Sequence, residues 1–236
     1  MTDLLYQTDA YLRRFEAQVT GNFEGGLTLD RSAFYPGGGG QPADQGVLSA
    51  GGRHWRVVSV NRAGSDPLHL LDGADLPEAG VAVTGELGWE RRYQLMRTHT
   101  AMHILCGVIW RDYGATVTGG QMEPLRGRMD FKFEGLGRDL VAEIETAIGR
   151  EVEAARDVRV AILPRAQAFQ IPDLIRTEVN LLPEGLSQVR TVEIVGLDLQ
   201  ADGGTHVANT REVGRLRIAD YMSKGKVNKR IYLEIS

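Results

Sequence analysis

Residues 89–113 read WERRYQLMRTHTAMHILCGVIWRDY, and this stretch decides how the chain divides. From Glu90 to Tyr113 there is no proline, and the one glycine before Gly114 is Gly107. Leu95, Met102, Leu105 and Ile109 recur at helical spacing, so the segment predicts a long helix. On its amino-terminal side the pattern is different. Short alternating runs such as RHWRVVSV at 53–60 are separated by Gly, Asp and Pro at close intervals, the mark of strands joined by tight turns. Residues 68–71 and 81–87 read as further strands of a small barrel or curled sheet, and 11–19 is the one stretch there with helical periodicity.

On the carboxyl-terminal side, 115–122 and 128–134 read as strands, 139–156 as an amphipathic helix and 158–163 as another strand. Strands follow around 189–195 and 212–221, and 231–235 closes the chain after a turn at 224–228. The mixture predicts the α+β class: a small β-barrel-like domain at 1–89, then a two-layer α/β domain at 90–236.

Composition narrows the function classes. The chain has 236 residues, enough for one large or two small domains, and its 29 glycines exceed the usual share of about 7%. The longest apolar run, Ile104 to Trp110, is far shorter than the roughly 20 residues that cross a bilayer. Asp3 and Asp9 stand where a signal peptide needs an apolar core, so a cytoplasmic protein with no membrane partner is expected. Cys106 is the only cysteine, which excludes an intramolecular disulfide and a zinc ribbon and leaves metal binding to His and carboxylates. Net charge is −4, so any attraction to nucleic acid is local. From Arg211 to the end of the chain, seven Lys or Arg face three acidic residues, a surplus that by itself also describes a merely solvated hairpin.

Three motifs carry chemistry. In RTHTAMHIL, at 97–105, His99 and His103 stand four apart and share one helix face, from which two imidazoles converge on one ion. The zinc-protease pattern needs Glu directly after the first His; Thr100 is there instead, so metalloprotease chemistry is disfavoured. In DGGTHVANT, at 202–210, Asp202 and His206 repeat the spacing around Gly203 and Gly204. Three His and one Asp complete a tetrahedral site, or three of them hold the metal and leave a position open. His54 and His69 lack partners at ligand spacing and read as surface or core residues. The third motif is FYPGGGGQPADQG at 34–46, where consecutive glycines permit positive φ and close approach of backbone N–H groups to a ligand. Neither P-loop nor GxGxxG spacing is present, so nucleotide binding is poorly supported.

Taken in order, LDRSAFYPGGGGQPADQG, RTHTAMH, DGGTHVANT and KGKVNKRIY resemble the alanyl-tRNA editing proteins of the AlaX type, relatives of the editing domain of alanyl-tRNA synthetase. In length and in its amino-terminal β domain the chain looks like the medium-length, freestanding members. The resemblance implies a trans-editing hydrolase, an aminoacyl-tRNA deacylase that removes serine, and often glycine, from mischarged tRNA(Ala). It implies Zn2+ held by His99, His103 and His206, with Asp202 where relatives usually carry Cys, a change that admits other divalent ions. It implies a substrate-reading role for Ser32, in the place of a frequent Thr, and for Gly38, Gly39 and Gln41. For tRNA it points to Lys224, Lys226, Lys229 and Arg230, with Arg91, Arg92 and Arg97 of the metal helix beside them. Two rival expectations remain: an RNA-binding module with a structural metal, and a metal-dependent hydrolase of small aminoacyl esters. Oligomeric state leaves no trace in the sequence.

Overall fold

The computed structural model describes residues 1–64, 66–73, 75–178, 182 and 185–236. The chain forms two compact units, Met1–Gln94 and Leu95–Ser236.

In the first unit, β1 (Asp3–Leu4) pairs in parallel with β4 (Arg31–Ser32). Six antiparallel strands close a barrel in the order β2 (Arg14–Phe23), β3 (Gly26–Leu29), β7 (Asp66–Leu71), β6 (Arg53–Ala63), β5 (Gly46–Ala50) and β8 (Ala82–Leu87). Phe15, Val19, Leu27, Leu29, Leu48, Val57, Val60 and Val83 fill its interior. The helical reading of 11–19 is corrected here, because most of that stretch lies in β2. Tyr11, Phe15 and Val19 are spaced by four, which satisfies a helix and a strand equally. Ala17, buried between exposed Glu16 and Gln18, gives the period of two that only a strand explains.

Helix α1 (Trp89–Tyr113) opens in the first unit and continues through the second. The second unit holds two antiparallel sheets. One runs β14 (Leu216–Ser223), β15 (Asn228–Ile235), β10 (Arg126–Lys132), β9 (Thr116–Glu123); the other runs β11 (Val158–Pro164), β12 (Gln188–Ile194), β13 (Asp198–Ala201). Helix α2 (Arg138–Glu153) buries Val141, Ile144, Ile148 and Val152 at helical spacing and packs on β14, while α3 (Arg165–Ala168) is a single turn. From Leu95 to Ile109, α1 is buried on nearly every side. It lies so close to the first sheet that a Cβ on Gly127 would stand 3.0 Å from Met102 Sδ. The expected strand at 212–221 starts later, because Thr210–Val213 form a 3-10 turn capped by Asn209 and Glu212. Barrel, antiparallel sheets and helices make this an α+β fold. Among the described residues no helix is long and apolar enough to cross a membrane.

Candidate metal centre

Because α1 is buried on nearly every side from Leu95 to Ile109, most polar side chains of that stretch meet protein rather than water. His99 and His103, one turn apart, stand edge to face with ring centroids 5.1 Å apart. The opposite wall is the segment leaving β13, where Asp202 begins a turn and accepts the Gly204 N–H at 2.8 Å. That turn delivers His206, whose ring stacks on His99 at 4.2 Å and meets His103 edge-on at 4.7 Å. Asp202 lies between the rings, with Oδ1 3.6 Å from His99 Nε2 and Oδ2 3.0 Å from His206 Nε2. One donor atom from each of these four residues lies within 4.8 Å of all the others. Ligand atoms of a tetrahedral zinc site stand roughly 3.4 Å apart, so shifts of about 1 Å would close the cluster on one ion. The donor set fits a divalent metal.

The electrostatics agree with that fit. Burial pushes the His99 pKa well below its ordinary value and that of His206 down to about 4, so both rings keep a lone pair for a cation. Burial raises the Asp202 carboxyl, but its close contacts with His99, His206 and His103, including the hydrogen bond from His206, outweigh that effect and hold the group well below the usual carboxylate range. Burial lowers His103, and the hydrogen bond and charge of Asp198 overcome it, leaving this one histidine raised. Arg190 Nη1 donates to the Asp202 carbonyl at 2.9 Å and steadies the turn. Cys106 is buried with its thiol pushed up by desolvation and stands outside the cluster.

Sequence reading passes over Asp198 and Arg190 here, and sees in Thr100 only a missing protease base. A signal for the first existed, since Asp198, Gln200 and Asp202 alternate along β13 and its exit and therefore share one face. For Arg190 the trace was a charge flanked by residues that all turn out buried in β12. Thr100 occupies the place of the protease base, and its Oγ1 instead lies 3.2 Å from His206 Nδ1.

The glycine-rich segment belongs to the barrel unit. Gly37, Gly38, Gly39 and Gly40 all have positive φ, between 60° and 122°, a run that side chains would strain. Gly38 and Gln41 exchange backbone hydrogen bonds of 3.0 Å, and Tyr35 Oη donates to the Gly38 carbonyl at 2.9 Å. Gly38 and Gly39 are exposed, whereas Gln41 and Ser32 are buried. The Ser32 hydroxyl accepts from the Phe34 N–H at 3.2 Å and lies 2.7 Å from His69 Nε2. His69 is indeed a core histidine, completely buried, and desolvation pushes its pKa down to about 4.

Several expected tRNA contacts need correction. Arg92 is buried and forms an ion pair with Asp44, which also accepts the Tyr35 N–H; its guanidinium secures the base of the glycine loop and is shut off from any phosphate. Lys229 is buried too, donating to Ser223 Oγ and to the Gly225 and Lys226 carbonyls, and thereby closes the β14–β15 turn. Arg97 donates to the Val213 carbonyl at 2.9 and 3.0 Å. Arg91 is half-buried, Lys224 and Lys226 are exposed, and Arg230 grips Asp130 through Nε at 2.6 Å and Nη2 at 2.8 Å. Lys224 Nζ at 3.2 Å and Arg128 Nη1 at 3.7 Å complete a ring of three cations about that single carboxylate.

Comparison with known proteins meets this geometry at both units. The family described as "Threonyl and Alanyl tRNA synthetase second additional domain" matches residues 189–232, and that described as "tRNA synthetases class II (A)" matches 8–91. The alanyl-tRNA editing protein AlaX-M of Saccharolobus solfataricus is 36% identical across 100% of this chain and 99% of its own, and that of Methanosarcina acetivorans is 37% identical with the same coverage. The alanine–tRNA ligase of Ignicoccus hospitalis is 39% identical over 92% of this chain and 24% of the ligase. Fold, cluster and these matches together place this two-unit protein in the class of relatives of alanyl-tRNA synthetase segments. Within that class, the chain belongs to the AlaX-M family of alanyl-tRNA editing proteins.

Proposed function

We propose that this protein is a freestanding, metal-dependent deacylase acting in the cytoplasm on tRNA(Ala) mischarged with serine, with Gly-tRNA(Ala) as a second substrate. The observation that carries the reading is the buried cluster of His99, His103, Asp202 and His206 in a chain related over its full length to AlaX-M editing proteins. Zn2+, or another divalent ion admitted by the Asp202 oxygen, would supply a Lewis-acidic point that anchors and polarises the aminoacyl group. The three imidazoles would bind it as neutral ligands, with Asp202 contributing the single negative charge. Ser32, Gly38, Gly39 and Gln41 are the group to which we assign reading of the aminoacyl side chain. Exposed Gly38 and Gly39 offer backbone atoms, and the doubly engaged Ser32 sets the course of the segment.

Discrimination has a physical basis. A site that hydrogen-bonds the serine hydroxyl leaves polar groups unpaired when alanine enters, and selectivity of about 10⁴ is attainable in that way. For the tRNA itself we assign phosphate contacts to Arg91, Lys224, Lys226 and Arg230, whose local positive charge offsets the overall −4.

The deciding experiment compares release of amino acid from Ser-, Gly- and Ala-tRNA(Ala), with and without a chelator. The expected outcome is release of serine and glycine, sparing of alanine, and loss of the reaction on chelation. Ser-tRNA(Ala) left intact by metal-replete protein would overturn the proposal. Turnover of free seryl esters as fast as of the tRNA ester would move the chain to the small-ester hydrolases.

A further inference from the structure

Behind the four donors stands a carboxylate that no ligand motif contains. We propose that Asp198 is a positioning residue of the metal centre, fixing the His103 ring with its proton on Nδ1 so that Nε2 is turned to the other three donors. The inference rests on the metal-centre reading given above and concerns the layer outside it. His103 Nδ1 lies 2.9 Å from Asp198 Oδ2. Asp198 Oδ2 is an acceptor at hydrogen-bond distance from this nitrogen, so in the proposed tautomer His103 Nδ1 donates and the lone pair is left on Nε2. Gln200 Nε2 is 3.5 Å from the same nitrogen, but its short bond, 2.8 Å, is donated to Asp198 Oδ2, which leaves the carboxylate as the nearer partner of the ring.

Asp198 is itself held from several directions, which a positioning group requires. Gln200 Nε2 donates to Oδ2 at 2.8 Å, Arg176 Nη1 stands 2.8 Å from Oδ1, and the backbone is paired with Ile194 in the sheet. Arg176 is buried and lies over the Trp110 ring, 5.3 Å from its centre. Helix α1 makes room for this assembly with its one interior glycine. A Cβ on Gly107 would come within 2.8 Å of Leu197 Cγ and 3.1 Å of Asp198 Cβ, so glycine lets the carboxylate approach His103 one turn earlier. An ion pair serving stability alone would need Arg176 and Asp198 but no imidazole. Here the second carboxylate oxygen is spent on the ring.

His206 is oriented differently. Its Nδ1 meets the neutral Thr100 hydroxyl at 3.2 Å, and the same oxygen accepts the Val207 N–H. The centre therefore has one histidine backed by an anion and one backed by a hydroxyl. The anion-backed ring is the stronger electron donor to a cation, and loss of such partners typically lowers metal affinity about 10- to 100-fold.

The test is Zn2+ affinity of the full chain, measured by competition with a chromophoric chelator, in wild type, Asp198→Asn and the double variant Asp198→Asn/Arg176→Gln. The double variant removes the buried charges together and leaves no orphaned ion. Both variants should bind Zn2+ about 10- to 100-fold more weakly. In ¹⁵N-labelled protein the His103 ring should lose its fixed Nδ1–H form while the His206 ring keeps its own, a change that general loosening would not confine to one residue. Affinity within about threefold of wild type in either folded variant, or a His103 ring still held as the Nδ1–H form, overturns the positioning role. Wild type that binds no Zn2+ removes the metal centre itself, a separate outcome.

Discussion

At the scale of single residues, two side chains invite measurement. Asp202 is the one anionic donor of the cluster, and zinc prefers thiolate sulfur to carboxylate oxygen. Asp202→Cys should therefore tighten Zn2+ about tenfold or more in chelator competition while keeping deacylation; weaker zinc binding would contradict its place among the donors. His69 reports on the barrel through pH. Its folded-state pKa lies near 4 against an ordinary 6.5, so between those values the unfolded chain binds the extra proton. Stability attributable to His69 is complete above about pH 6.5 and falls as pH drops towards 4, by roughly 3 kcal/mol at most. Urea titrations of wild type and His69→Gln across that range should show a steeper acid loss in the wild type. Parallel curves would mean that His69 is not buried in neutral form.

Among the elements, α1 and the β14–β15 hairpin make opposite points about small and charged residues. In an exposed helix, Gly→Ala stabilises by about 1 kcal/mol. At Gly107 the added methyl meets Leu197 at 2.8 Å, so Gly107→Ala should lower stability by roughly 1–3 kcal/mol and weaken metal binding along with it. A raised thermal midpoint would show that α1 and the Leu197–Asp198 turn do not abut. In the hairpin, two lysines of the same run have different fates. Lys226→Ala should leave the thermal midpoint unchanged but lower tRNA affinity and flatten its salt dependence, the slope falling by about 1. Lys229→Met should instead destabilise by roughly 1–3 kcal/mol, because the turn loses three hydrogen bonds from one buried amine. Reversal of the two phenotypes in calorimetry and filter binding would undo this division. Charge counting along 224–230 sees only basic residues; which amine reaches solvent depends on the twist of the strands that carry it.

For the whole molecule, the cluster joins residues 99–103 to 202–206, so a bound ion would cross-link segments about a hundred positions apart in the second unit. Binding to the folded state alone stabilises by about 4 kcal/mol when free metal is 1,000 times its dissociation constant. Chelation should accordingly lower the thermal midpoint by several degrees, and re-addition of Zn2+ should restore it. A midpoint indifferent to chelator and metal would argue against any ion in the folded chain.

Much of this was legible in the linear chain, for reasons of periodicity and spacing. The switch from alternating to helical pattern at Trp89 marked α1, and the two four-residue spacings named the four residues that the structure brings together, because a turn of helix and a tight glycine turn are local geometries. Local reasoning failed where two periods coincide, as at 11–19. It also failed where a charge is absorbed by protein, whether a distant partner, as with Arg92 on Asp44 and Arg97 on Val213, or the chain's own turn, as with Lys229. Asp198 belongs with these. Its function as a support for His103 exists only because β13 and α1 pack closely at Gly107, and a contact between residues 95 apart is a property of packing that no window along the chain contains.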